Sequence, residues 1–126
     1  MCHQTVSLVA QALEEAGIST VTIGSARDIV EHAGAPRYLF TDFPLGNPCG
    51  VPFDRQMQAD ILASALALLE TAAAPGTIVD APQAWPGDQD WRWRYNYVGP
   101  ENREELAAIG AARRDQQADN KAAEKA

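Results

Sequence analysis

The sequence predicts an α/β fold: a partial, Rossmann-like parallel sheet flanked by helices, followed by an extended aromatic arm and a C-terminal helix. Two observations lead to it. Segments with apolar residues at helical spacing alternate with short β-branched or aromatic runs, and Gly or Pro punctuates the boundaries. Strands this short, each followed by a helix, belong to a parallel sheet covered by helices.

The first helix is expected over Thr5 to Ala16, with Val6, Val9, Ala10, Leu13 and Ala16 on its inward face and Gln11, Glu14 and Glu15 outside. Thr5 is its expected N-cap and Gly17 its C′ residue. Thr20 to Ile23, β-branched at every position, is a short strand ended by Gly24. Ser25 is placed to cap a second helix that runs to about Ala33, where Gly34 and Pro36 stop it. Arg37 to Thr41 is a second strand centred on Tyr38, Leu39 and Phe40.

Asp42 to Asp54 is a structured loop, because Pro44, Pro48 and Pro52 forbid continued strand or helix. A long helix follows from about Asp54 to Ala73, marked by Met57, Ile61, Leu62, Leu66 and Leu69. Thr77 to Val79 reads as a third strand. The period-two run from Trp91 to Tyr97 reads as part of an extended aromatic arm over residues 81–100, fit for packing or subunit contact. Residues 101–126 are a helix to about Arg114 and a polar, alanine-rich tail that frays. The compact core is expected within residues 1–80, and only four residues precede Thr5, so the first helix lacks the strand that should feed it.

Composition narrows the function classes. A chain of 126 residues holds one core, and a net charge of −7 opposes a nucleic-acid phosphate backbone. No apolar run approaches the roughly 18 residues of a membrane span, the longest being Ile61 to Leu69. Met1 to Thr5 carries no signal-peptide pattern, so a cytoplasmic location is expected. Cys2 and Cys49 are too few for a secreted disulfide framework, and no zinc-type Cys/His spacing occurs.

In such a sheet the loops after the carboxyl ends of the strands carry function. They place Cys2, His3, Ser25, Asp42 and Asn47 on one rim, with capping the stronger reading for Ser25 and turn formation an alternative for Asp42 and Asn47. Cys2 stands at a helix N-terminus, where free amides and the helix dipole favour a thiolate; the competing reading is an incidental terminal residue. His3, its neighbour, would point away from it in an extended segment. His32 is accounted for by the end of its helix, and Cys49 either approaches Cys2 or is a small buried filler.

Cys2, the helix ending Glu14-Glu15-Ala16-Gly17-Ile18, the strand Thr20 to Ile23 and then Phe43-Pro44-Leu45-Gly46-Asn47-Pro48 occur in an order that resembles the selenoprotein B family of glycine, sarcosine, betaine and D-proline reductases. The resemblance covers roughly residues 2–70; the arm and tail lie outside it. It implies that Cys2 is the second member of a redox pair whose selenocysteine or cysteine nucleophile precedes Met1. The family's further cysteine, expected near Thr5, is absent here. The resemblance also implies a small-molecule substrate met by the loop bearing Asp42, Gly46 and Asn47. No cofactor is implied within this chain; other reductase subunits and a thioredoxin-like dithiol donor are implied as partners. On this reading Met1 is not the natural start, and the upstream coding frame continues through a selenocysteine or cysteine codon. Two rivals stand beside it: a non-catalytic α/β interaction module completed by a partner chain, and a small-molecule-binding subunit without redox chemistry.

Overall fold

The computed structural model describes residues 2–94 and 99–123. Its elements are α1 (Cys2–Glu15), β1 (Thr22–Gly24), α2 (Arg27–Ala33), β2 (Arg37–Phe40), α3 (Arg55–Thr71), β3 (Thr77–Asp80), α4 (Trp91–Arg94) and α5 (Arg103–Ala123). The strands form one parallel sheet in the order β1-β2-β3, with Ile23, Leu39 and Val79 in register. This is the helix-flanked parallel sheet that the alternation predicts. The chain divides into two compact units, Met1–Trp91 and Arg92–Ala126, and the first holds the whole sheet.

Pleating of β2 builds the core on both faces of the sheet, since successive side chains point to opposite sides. Leu39 packs with Phe43 and with Ile61 and Ala65 of α3, joined by Ile23, Val21 and Met57. Tyr38 packs on the other side with Val30 of α2 and with Ala35, joined by Phe40 and Ile78. Ala81 and Trp85, both in the stretch expected as an arm, lie against the Leu39 cluster, with the Trp85 ring 5.4 Å from that of Phe43.

Helix ends follow local chemistry. Gly17 takes the left-handed conformation after α1 while the Ile18 amide donates to the Leu13 carbonyl. Gly34 ends α2 in the same way. The Asp54 side chain accepts from the Met57 amide and so caps α3.

Four sequence expectations are corrected. First, α1 starts at Cys2 rather than being capped by Thr5. Second, its inward face is turned about a third of a revolution from the apolar one: Ser7 and Ala10 are buried, whereas Val6 (41%), Val9 (51%) and Leu13 (37%) are exposed. The reason is polar. Gln11 donates to the Ala33 and Gly34 carbonyls at 2.6 and 2.7 Å, satisfying the end of α2. Glu14 accepts from the Thr20 amide and hydroxyl and from Arg37, tying α1 to the start of β1 and β2. Third, Trp91–Arg94 forms a turn of helix in which Trp93 is exposed, so no aromatic face spaced two residues apart exists there. Tyr95 to Val98 lie outside the described residues. Fourth, α5 continues past Arg114 to Ala123, as its run of Ala, Gln and Lys favours.

Candidate functional site

The carboxyl ends of β1 and β2 meet the first turn of α1 and the proline loop at a cleft of about 240 Å³. Its walls are Cys2, His3 and Val6 from α1, Ile23, Gly24 and Ser25 from the end of β1, and Leu45, Gly46 and Pro48 from the loop. Of the residues expected on the rim, the structure gathers Cys2, His3 and Ser25, together with Gly46 of the expected substrate loop. Asp42 and Asn47 do not line the cleft. Asp42 is exposed, and Asn47 serves a tight turn through its backbone, donating to the Pro44 carbonyl and accepting from the Gly50 amide.

Cys2 and His3 form a pair. The Cys2 Sγ is 3.6 Å from His3 Nδ1, within the range of a sulfur hydrogen bond. The expectation that they point apart assumed extended backbone. In a helix, neighbouring side chains are only about 100° apart, and α1 already includes both residues. Both cysteines are free and exposed. Cys49 is therefore not a small buried filler, and it does not line the cleft. His32 sits in the last turn of α2, away from this cleft.

Beneath the cleft lies a hydrogen-bond node centred on Thr41, which is fully buried at the end of β2. Its hydroxyl donates to the Pro48 carbonyl at 2.8 Å, its amide donates to the Gly24 carbonyl at 2.9 Å, and Ser25 Oγ stands 3.3 Å away. One residue thus ties the β1 end to the proline loop. Ser25 is corrected accordingly: Ala26 is the N-cap residue of α2 and has no side-chain cap bond. The Ser25 hydroxyl instead stands within hydrogen-bond distance of the buried Thr41 hydroxyl, which already donates to Pro48.

Tyr38 supports the β1 end from the opposite face of the sheet. Its hydroxyl accepts the Ala26 amide at 3.2 Å, and the phenol lies so close under Gly24 that a Cβ there would come within 2.4 Å of the oxygen. Burial raises the Tyr38 phenol above its ordinary range, with the Asp28 charge adding to that and the Ala26 amide opposing it. Sequence reasoning missed both Thr41 and Tyr38 as determinants of the site. The available signal was position: Thr41 is the last residue before the proline loop, and Tyr38 stands in register with Thr22.

A larger cavity of about 450 Å³ opens at the other end of the sheet, where Gln11, Glu14 and Arg37 face the Ala72 to Gly76 turn. Its amide and carboxylate are already engaged in the ties described above, so it is the weaker candidate. Among the described residues no cluster of three or more His, Cys, Asp or Glu could hold a metal ion, and no helix is long and apolar enough to cross a membrane.

No protein-family profile matches the chain, and no solved structure does. Among curated proteins, the chain is 33% identical over 81 residues to the D-proline reductase subunit gamma of Acetoanaerobium sticklandii, a match covering 64% of this chain and 34% of that protein. The chain thus spans about a third of the relative's length. This likeness supports a distant relation to the proline reductase family.

Proposed function

We propose that the chain is part of a thiol- or selenol-dependent reductase subunit in which Cys2 is one half of a disulfide/dithiol couple. The observation that carries this reading is the Cys2–His3 pair, opening on a cleft at the carboxyl ends of parallel strands. His3 is within reach to take the thiol proton as Cys2 becomes a nucleophile. The other half of the couple is a selenocysteine or cysteine supplied from outside these 126 residues. Two features favour such a neighbour: among the described residues β1 pairs only with β2, and Val6, Val9 and Leu13 stand exposed on α1.

On this reading Gly46 is the substrate-facing residue of the loop, and the backbone turn at Asn47 supports it. Other reductase subunits and a thioredoxin-like dithiol donor are the partners this chemistry requires, and the substrate is a small molecule. The test is a trap. A thioredoxin whose resolving cysteine is replaced by serine, activated as its mixed disulfide with 2-nitro-5-thiobenzoate, should be captured by the reduced chain at Cys2, releasing the thiobenzoate. No adduct, or an adduct at Cys49, would refute the redox role.

The same exposed stripe on α1 favours a second reading, a non-catalytic interaction module. It predicts a partner bound with equal affinity by the wild type and the Cys2→Ser variant, and no trapped thioredoxin.

A further inference from the structure

α3 is apolar on two opposite sides. Ile61 and Ala65 pack with Leu39 and Phe43 in the core. On the other side Ala59, Leu62, Ala63, Leu66 and Ala67 follow one another at helical spacing, and all five are exposed, Leu62 by 53% and Leu66 by 52%. A helix that is apolar all round is ordinarily covered all round. Arg55 in the first turn and Glu70 in the last continue the spacing of this stripe at its two ends. The Cys2 cleft lies elsewhere, lined by α1, the β1 end and the proline loop.

The two end charges are misplaced for a helix standing alone. A helix carries partial positive charge at its N-terminus and partial negative charge at its C-terminus, so a cation in the first turn and an anion in the last both oppose the dipole. Among the described residues neither Arg55 nor Glu70 has an ion-pair partner. An antiparallel second helix reverses both penalties, because it sets Arg55 beside a negative helix end and Glu70 beside a positive one. The stripe fits the same arrangement. A two-fold axis between Leu62 and Ala63 sets Leu62 against the partner's Ala63, Leu66 against the partner's Ala59 and Arg55 against the partner's Glu70. Each large side chain then meets a small one, which lets the helix axes approach to about 8 Å, and each charge meets its opposite. We infer that α3 is a homodimer interface, in which two copies of this chain pack antiparallel through this stripe with an Arg55–Glu70 ion pair closing each end. Two copies that each carry a net charge of −7 repel as wholes, which favours contact at a face whose five central positions are uncharged. One helix face per copy is a small interface, so the expected dissociation constant is about 1–100 µM.

Sedimentation equilibrium of the full chain from about 5 µM to about 500 µM brackets that range and should show a monomer–dimer equilibrium. Leu62→Asp, at a half-exposed position, should leave only folded monomer. Arg55→Glu and Glu70→Arg each bring like charges together at both ends of the pair and should weaken association by about tenfold. Each should nonetheless raise the urea midpoint of the monomer, since the new charge agrees with the dipole of its own helix. The double variant Arg55→Glu/Glu70→Arg should recover wild-type association to within about threefold, because the exchange preserves the pairing across the two-fold axis. A wild-type chain that stays monomeric to the top of the range overturns the inference. So does a double variant that associates no better than the single ones, or a dimer that tolerates Leu62→Asp and is lost in Val9→Asp, which would seat the contact on α1.

Discussion

Gly24→Ala should both destabilise the fold and disturb the cleft, because Tyr38 leaves no room for a methyl group. The added carbon would stand 2.4 Å from the phenol oxygen and 3.1 Å from two ring carbons. Either the ring or the β1 end must move, at a cost of about 1–3 kcal/mol for overpacking. Movement of the ring also strains the bond from the Ala26 amide, for which about 0.5–1.5 kcal/mol is a typical net contribution. Tyr38→Phe removes the oxygen that makes the contact impossible, leaving carbons at 3.1 Å, a tight but tolerable approach. A double-mutant cycle isolates this. Urea denaturation followed by tryptophan fluorescence, with Trp85 against Phe43 as core reporter, should give a Gly24→Ala loss of about 2–4 kcal/mol. The double variant should be less unstable than the sum of the singles by at least about 1 kcal/mol. Additivity within about 0.5 kcal/mol would refute the claim that the phenol dictates glycine at this position.

Thr41→Val keeps the shape but deletes the hydroxyl that holds Pro48; a loss of about 1–2 kcal/mol is expected, with faster amide exchange in residues 44–50. Phe53 is 96% exposed with a φ of 68°, so Phe53→Gly should stabilise by about 0.5–1 kcal/mol, read as a higher urea midpoint. Glu14 lies below the ordinary carboxylate range, chiefly through the Thr20 amide, with the Thr20 hydroxyl and Arg37 assisting against the opposing effect of desolvation. Because its folded value is the depressed one, its contribution is present above the unfolded carboxylate range and is lost as pH falls through the folded value. Glu14→Gln should therefore be less stable than wild type near neutrality, and the difference should shrink with acidification. A constant difference across that range would count against the assignment.

The alternating elements were legible because their punctuation is local. Gly17 and Gly34 stop helices and Asp54 starts one, and each acts on its own turn. The orientation of α1 was not legible. Apolar periodicity places Val6, Val9 and Leu13 inside, yet Gln11 and Glu14 win the inward face because they satisfy backbone groups of α2 and β1 that are distant in sequence. Ser25 failed as a cap for the same kind of reason, since its partner, Thr41, is 16 residues away. The site was half visible. Strand ends and the proline loop predict a rim holding Cys2, His3, Ser25, Asp42 and Asn47, of which the first three line the cleft; whether a loop residue faces a cleft or a turn is decided by backbone bonds such as those of Asn47. The Cys2–His3 pair was missed once the helix was started at Thr5, because extended and helical backbones send adjacent side chains in different directions.

The redox role of Cys2 is tested most directly by pulsed alkylation of the reduced chain with iodoacetamide at neutral pH, followed by peptide mass analysis. Both thiols are exposed, so accessibility alone does not separate them. The account predicts that Cys2 labels several-fold faster than Cys49 and that His3→Ala removes most of the difference while leaving Cys49 unchanged. Labelling of Cys49 at an equal or greater rate would contradict it.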